Sequence, residues 1–293
     1  MEATPYRIST MTATGYVGVN VNLDAFFEHV PVTKTHTEYG ITYAEFGSNK
    51  HNQIYKGTNT KKKYVRKDGK KEVSTKRFDN SVTIKYKNSD NSTLNIKIFK
   101  NGKIQMTGVK DEKMGRKAID YVISVMKDMC KDNKLCSNDL PVVSNPDDMI
   151  NDEFCIHLIN SDFKVNIEIR RDFLYNLLMS DYKVICTYEP CIYPGVKIQY
   201  YYNEDNNADN IYEQGVCSCE TPCDGKGKGL RGGKCKKITI SIFQSGCILI
   251  TGVTSIKHIE IGYEFITNIL KEHLDKIKRV KLELNSQMQN LAL

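Results

Sequence analysis

Four cysteines crowd one short stretch: Cys217-Ser-Cys219-Glu-Thr-Pro-Cys223, then Cys235, a Cys-x-Cys-x3-Cys-x11-Cys spacing in a Gly/Lys-rich segment. Thiolates at this density can hold tetrahedral Zn²⁺, and the metal supplies the stability that a coreless loop lacks. The spacing is not that of paired Cys-x-x-Cys knuckles. Redox-active or disulfide-forming thiols and plain loop cysteines therefore stand as the other readings. Gly225 to Gly233 do not keep the Gly-x4-Gly-Lys-Ser/Thr order of a phosphate cradle. Ten cysteines without a secretory leader point to a reducing compartment.

Catalytic chemistry finds no comparable cluster. The six histidines, at 29, 36, 51, 157, 258 and 273, form no His-Glu-x-x-His, and no Ser or Cys elbow is present. Asp147-Asp148 lies in a polar stretch and reads as solvated, so a binding protein is expected rather than an enzyme. The formal charge is +7, yet ten Lys/Arg stand between Lys56 and Arg77 against Asp68 and Glu72, leaving the rest of the chain near neutral. Such a local patch, with Lys61, Lys62 and Lys63 at its centre, suits phosphate contacts. A solvated lysine loop is the plainer alternative. No apolar run of about 18 residues predicts a membrane span.

The elements that must position these groups announce themselves by repetition. Phe99-Lys-Asn-Gly-Lys-Ile-Gln-Met-Thr-Gly-Val109 returns as Phe243-Gln-Ser-Gly-Cys-Ile-Leu-Ile-Thr-Gly-Val253 without a gap. Each copy follows an alternating run, Leu94–Ile98 and Ile238–Ile242, as a half-buried strand requires. Gly102 and Gly246 supply tight turns into a second alternating strand. With Ile96 and Ile98 marking the buried side, Phe99 belongs on the opposite face, and Phe243 likewise. A single exposed aromatic is ordinary. Two at equivalent repeat positions suit wedges that push into a partner, as minor-groove DNA binders use.

Taken in order, Ile8–Leu23 reads as extended and Leu23–Val30 as a short helix capped by Asn22 or Asp24. Tyr39–Phe46 and Val82–Tyr86 read as strands, and 111–129 as a helix with Met114, Ala118, Tyr121, Val122, Val125 and Met129 on one stripe. Phe154–Val165 is extended and Ile167–Met179 helical. Tyr188–Tyr200 reads as strand, Pro194-Gly195 turn and strand, and a helix from about Ser255 continues past Leu274. The expected organisation is a first repeat over 1–130 with a basic insertion at about 48–77, a linker at 131–152, a second repeat over 153–275 with a Cys-rich insertion at about 203–236, and a helical extension at 276–293. The fold class is α+β: two curved antiparallel sheets in tandem, helices on one face, the other face open.

Tyr188-Glu-Pro-Cys-Ile-Tyr-Pro-Gly195, the doubled Phe-x-x-Gly-x-Ile-x-x-Thr-Gly, and Lys76-Arg-Phe78 ahead of Val82 together resemble the TATA-binding protein family over nearly all of both halves. The insertions and the divergence are similar to the TATA-binding-like proteins of large DNA viruses of eukaryotes. The resemblance implies a saddle with helices on its convex face, whose concave sheet enters the minor groove and whose four aromatic wedges kink the duplex. Phe99 and Phe243 match one member of each wedge pair, Tyr193 stands for the second half's other phenylalanine, and Phe78 for the first half's. By the same likeness Gln105, Thr107, Leu249 and Thr251 line the concave face, and Lys85, Lys87 and Lys103 contact phosphates. Where the family has a base-donating Asn in the first strand of each half, Thr10 falls in one half and Leu158 in the other, with Asn160 two residues away. Those departures weaken readout of A·T against G·C.

The function that follows is a transcription initiation factor that bends A/T-rich promoter DNA and recruits a transcription factor IIB-like protein and RNA polymerase. It would act in the nucleus, or in a viral factory or virion of an infected host, with one structural zinc in the second half. Two alternatives are a protein-interaction scaffold that kept the fold but lost TATA recognition, and an RNA-binding sheet.

Overall fold

Every second residue of Leu94–Ile98 is apolar, and Leu94, Ile96 and Ile98 are all fully buried. Their strand therefore has one core face and one open face. The computed structural model describes residues 1–33, 39–47, 55–57, 80–131, 141–205, 210–220, 223–227 and 232–280. It divides into two compact units, Thr10–Leu158 and, with Met1–Ser9, the chain from Ile159 onward.

The first unit runs β1 (Arg7–Tyr16), α1 (Leu23–His29), β2 (Gly40–Glu45), β3 (Tyr55–Gly57), β4 (Ser81–Lys87), β5 (Thr93–Phe99), β6 (Lys103–Val109) and α2 (Glu112–Lys131). Its strands lie in the order β3-β2-β4-β5-β6-β1, and neighbours are antiparallel. The second unit runs β7 (Asp152–Lys164), α3 (Arg171–Ser180), β8 (Ile185–Glu189), β9 (Tyr193–Tyr202), β10 (Lys236–Ile242), β11 (Cys247–Val253), α4 (Ile256–Glu272) and α5 (Leu274–Ile277). Residues of β7 up to Leu158 group with the first unit. The order β7-β11-β10-β9-β8, again antiparallel, repeats that of the first unit apart from the added β3. The duplicated α+β fold expected from the sequence is thus present, unit by unit.

Helices cover one face of each sheet. In the first unit Met114, Ala118 and Val122 of α2 are buried on the side of Ile104, Met106 and Val109 of β6. In the second, Gly262 lets α4 approach until a Cβ there would stand 3.5 Å from Ile240 and Ile250. Each such Ile or Met contributes about 1.5–3 kcal/mol by leaving water. Of the two caps read for α1, Asn22 is the one used: its Oδ1 accepts from the Ala25 amide at 3.3 Å; at α2, Asp111 Oδ1 accepts from the Met114 amide at 2.7 Å. Among the described residues no helix is long and apolar enough to cross a membrane.

The repeated glycines have two separate tasks. Gly102 and Gly246, at φ +77° and +80°, close the hairpin turns by donating to Phe99 and Phe243 carbonyls, each at 3.0 Å. A Cβ on Gly246 would sit 2.5 Å from the Val165 carbonyl oxygen and 2.6 Å from that of Ile167. Gly246→Ala combines a left-handed backbone penalty with a backbone clash, so it should cost about 3 kcal/mol in urea unfolding. A loss below about 1 kcal/mol would mean the turn yields freely. The second pair, Gly108 and Gly252, also has positive φ, +94° and +80°. They sit where pairing slips, between Met11/Thr12 and between Ile250/Val253, and so form matching β-bulges.

Several local readings are corrected. Pro194-Gly195 is not the turn: the chain reverses at Pro190–Ile192, where Ile192 N–H donates to the Glu189 carbonyl at 2.9 Å, and Pro194-Gly195 lies inside β9. Proline at the second place of a β-turn explains the choice. The helix read from Ile167 starts only at Arg171, because Ile169 pairs with Lys278 in an antiparallel bridge. That bridge also ends the last helix: α4 breaks at His273, α5 stops at Ile277, and Lys278 to Val280 are not helical. Extended structure read up to Leu23 stops at Tyr16.

Candidate nucleic-acid interface

The face of each sheet away from the helices is built in cross-strand rows. In the first unit Thr83, Lys97, Gln105 and Thr14 form one row, and Lys85, Asn95, Thr107 and Thr12 the next. In the second, Lys197, Ser241, Leu249 and Asp162 form one row, and Gln199, Thr239 and Thr251 the other. Gln105, Thr107, Leu249 and Thr251 therefore occupy equivalent places. The first face carries lysines and amides; the second is closer to neutral. Asp162, its one acid in these rows, accepts from Arg7 Nε at 2.8 Å and Ser9 Oγ at 2.5 Å.

The aromatics expected to act as wedges lie one step beyond these rows, Phe99 two residues after Lys97 on β5 and Phe243 two residues after Ser241, just past β10. Phe99 is half-buried, lies opposite Ser81, and faces away from Ile98. Phe243 and Tyr193 meet edge-on, with ring centroids 5.6 Å apart at 63°. Gly195 makes this possible, since a Cβ there would lie 3.0 Å from Tyr193 and 3.1 Å from Phe243. A shallow depression of about 560 Å³ opens beside the pair, lined by Tyr193, Lys197, Thr239 and Thr251 among others. Ile192, in the turn before Tyr193, is 81% exposed. Phe78, Lys61, Lys62 and Lys63 lie outside the described residues.

Arg171, at the start of α3, ties the Tyr193 and Phe243 segments together. Its Nη1 donates to the Pro194 carbonyl, its Nη2 to Gln244 Oε1 at 3.1 Å, and its guanidinium lies 5.3 Å from the Tyr188 ring centre. Arg171→Ala should speed amide exchange of Ile192 and Gly246 about tenfold, the loss of roughly 1–2 kcal/mol of hydrogen bonding, while α4 stays protected. Unchanged exchange would remove Arg171 from this role.

Other expected residues are placed as follows. Lys103 is exposed at the start of β6, and Lys87 is half-buried at the end of β4. The Lys85 ammonium lies 5.1 Å from the Tyr43 ring centre. Thr10 Oγ1 accepts from the Gly108 amide at 3.0 Å, so it supports the bulge while its hydroxyl proton stays available to donate. Asn160 and Leu158 are half-buried on β7. Lys56, first of the basic stretch, is turned inward: it donates to the Glu28 carbonyl, lies over Phe27, and has its pKa lowered by burial. Sequence reasoning passed over Ile192 and Arg171, and over Asn95, Lys97, Thr239 and Lys197. Strict alternation from Ile96, Ile198 and Ile240 marks these last four.

Cys217, Cys219, Cys223 and Cys235 come together, all four Sγ atoms within 4.8 Å of one another. Cys235 Sγ lies 3.7 Å from Cys217 and 3.4 Å from Cys219. The corners of a zinc tetrathiolate, with Zn–S of about 2.3 Å, are about 3.8 Å apart. Gly233, at φ +78°, leaves the room: a Cβ there would be 2.7 Å from Cys223 Sγ and 3.0 Å from Cys219 Sγ. Amides of Cys235 and Lys234 draw the Cys219 thiol down to about 7, while burial pushes Cys235 up to about 12. Amide donors toward a thiolate are common support for a metal-bound sulfur.

A family profile described as transcription factor TFIID (or TATA-binding protein, TBP) matches residues 231–273, which span β10, β11 and α4. The chain is thus similar to the TATA-binding protein family. Individually, it is 29% identical over 303 residues to a TATA-box-binding protein-like protein of Acanthamoeba polyphaga mimivirus, covering 98% of this chain and 70% of that one. Against the TBP of Methanococcus jannaschii the identity is 17%, the cover 92% of this chain and 99% of the other, and the TM-score 0.49.

Proposed function

We propose that the chain binds duplex DNA through the open faces of its sheets and bends it from the minor groove. The observation that carries this is the Tyr193–Phe243 pair over Gly195, a preformed aromatic edge beside a face of hydroxyls, amides and lysines. Phe99 supplies the equivalent wedge in the first unit, with Phe78 as its expected companion. Unstacking costs a few kcal/mol per step, a figure familiar from minor-groove benders, TATA-binding proteins included. Phosphate neutralisation by Lys85, Lys87, Lys97 and Lys103 and the wrapped surface offset it. The face reads width and deformability more than base edges, because Thr10 and Leu158 stand where the family has its paired Asn donors. The similarity to the TATA-binding protein family supports a role at A/T-rich promoters, recruiting a transcription factor IIB-like protein and RNA polymerase in the nucleus or a viral factory. A gel-shift and bending assay on TATA-containing and scrambled duplexes at two salt concentrations tests this. Sequence-selective bending is the expected result; unselective, unbent binding would leave a protein-interaction scaffold instead.

A structural zinc held by Cys217, Cys219, Cys223 and Cys235 belongs to the same proposal. The ion would close the loop between β9 and β10 and fix the entry into β10, whose first residue, Lys236, directly follows Cys235. Four thiolates leave no open coordination position, so its role is to hold structure.

A further inference from the structure

A second charged surface lies just beyond the wedge of the second unit, outside its sheet face. The chain end is drawn back onto the segment before α3: Arg170 N–H donates to the Ile277 carbonyl and Arg279 N–H to the Glu168 carbonyl, both at 2.8 Å. Ile169 and Lys278 bridge between them. Residues about a hundred positions apart in sequence thereby place Arg170, Lys278 and Arg279 around one open cleft of about 620 Å³. Gln244, the residue after Phe243, lines the same cleft, and Arg171 holds its side chain there. Two carboxylates share the cleft, Asp172, 4.0 Å from Arg170, and Asp275. Four cations against two acids leave it positive. Lys278 and Arg279 are exposed, and the backbone pairing holds them in place.

We infer that this ledge is a contact surface for the phosphodiester backbone of duplex DNA flanking the step opened by Tyr193 and Phe243. The inference rests on the reading that those two rings enter DNA. A duplex leaving the wedge passes Gln244, and the next groups it meets are guanidinium and ammonium heads. Guanidinium is suited to phosphate by its planar, paired donors. An acidic protein segment is the competing occupant. The continuity with Phe243 through Gln244 favours DNA, because that neighbourhood is already at the edge of the proposed groove contact.

The test uses the full chain and two A/T-rich duplexes, one extending well beyond the kinked step and one ending at it. On the long duplex, Lys278→Gln/Arg279→Gln should weaken binding about tenfold near physiological salt. The salt slope should fall by somewhat under two, because two phosphates are no longer neutralised. On the short duplex the same variant should bind like the wild type, and bending at saturation should persist on both. Arg170→Gln, whose side chain takes no part in the backbone bridge, should give a smaller loss with the same dependence on length. If the wild type binds and bends DNA but these variants keep its affinity and slope on the long duplex, the ledge is not a DNA surface. Equal weakening on both duplexes also overturns it. Failure of the wild type to bind any duplex would instead reject the underlying function.

Discussion

Alanine at both Tyr193 and Phe243 is expected to lower affinity for an A/T-rich duplex roughly 100-fold and to abolish the bend at that end of the site. Each ring inserted between bases leaves water for a stacked environment, about 1.5–3 kcal/mol apiece, and each 1.4 kcal/mol is about tenfold in affinity. A variant that no longer unstacks the step also avoids its cost, so the net loss is smaller than the two rings together. The pair already touches edge-on above Gly195, so binding need not order one ring against the other. Tyr193→Phe separates the two parts of the side chain. The phenol must find a hydrogen-bond partner inside the stack, and its removal should leave affinity unchanged or slightly improved. Energy transfer between dyes at the duplex ends reads the bend directly. Full bending by the double alanine variant, at saturating protein, would refute the wedge assignment.

Protein purified without chelator should carry one zinc per chain, and Cys235→Ser should carry none. Cys235 is fully buried beside the other three sulfurs, so the serine removes a ligand and leaves a hydroxyl in a place shaped for sulfur. The expected loss of stability is roughly 4 kcal/mol, in the range where loss of a metal or buried network is diagnostic. Cobalt substitution should give the intense absorption of tetrahedral thiolate coordination in the wild type and lose it in Cys235→Ser. Exposed Cys191 and Cys247 lie outside the cluster and provide controls, since serine at either should leave metal content intact. Metal-free protein in which all four thiols react freely with a thiol reagent would reject the site.

The duplicated hairpin was legible because one motif fixes turn, register and face at once. Leu94, Ile96 and Ile98 set the phase, and the copy at Ile238–Ile242 repeats it, so the facing of Phe99 and Phe243 follows from alternation alone. The cysteine cluster was legible from spacing. What sequence concealed depends on tertiary pairing. Pro194-Gly195 has turn composition, yet Pro190 takes the turn, and Gly195 is needed where two rings close over the backbone. Ile167 to Arg170 has helical periodicity but bonds instead to the returning chain at Ile277 to Arg279. The bulges at Gly108 and Gly252 could have been suspected, since an isolated glycine within a strand pattern often marks one. Arg171 could not, because both its partners are distant in sequence.

The two units repeat the same strand order but interrupt it at different joints. In the first, the long excursion falls between β2 and β4 and is rich in lysine; in the second, it falls between β9 and β10 and carries the thiol cluster. A chain with interchangeable halves could sit on a near-symmetric A/T tract in either direction with equal energy. Here the two halves offer unlike chemistry to whatever approaches, so the placement of the excursions gives the protein a built-in polarity. If the chain binds duplex DNA as proposed, that polarity would set which half lies at which end of the site.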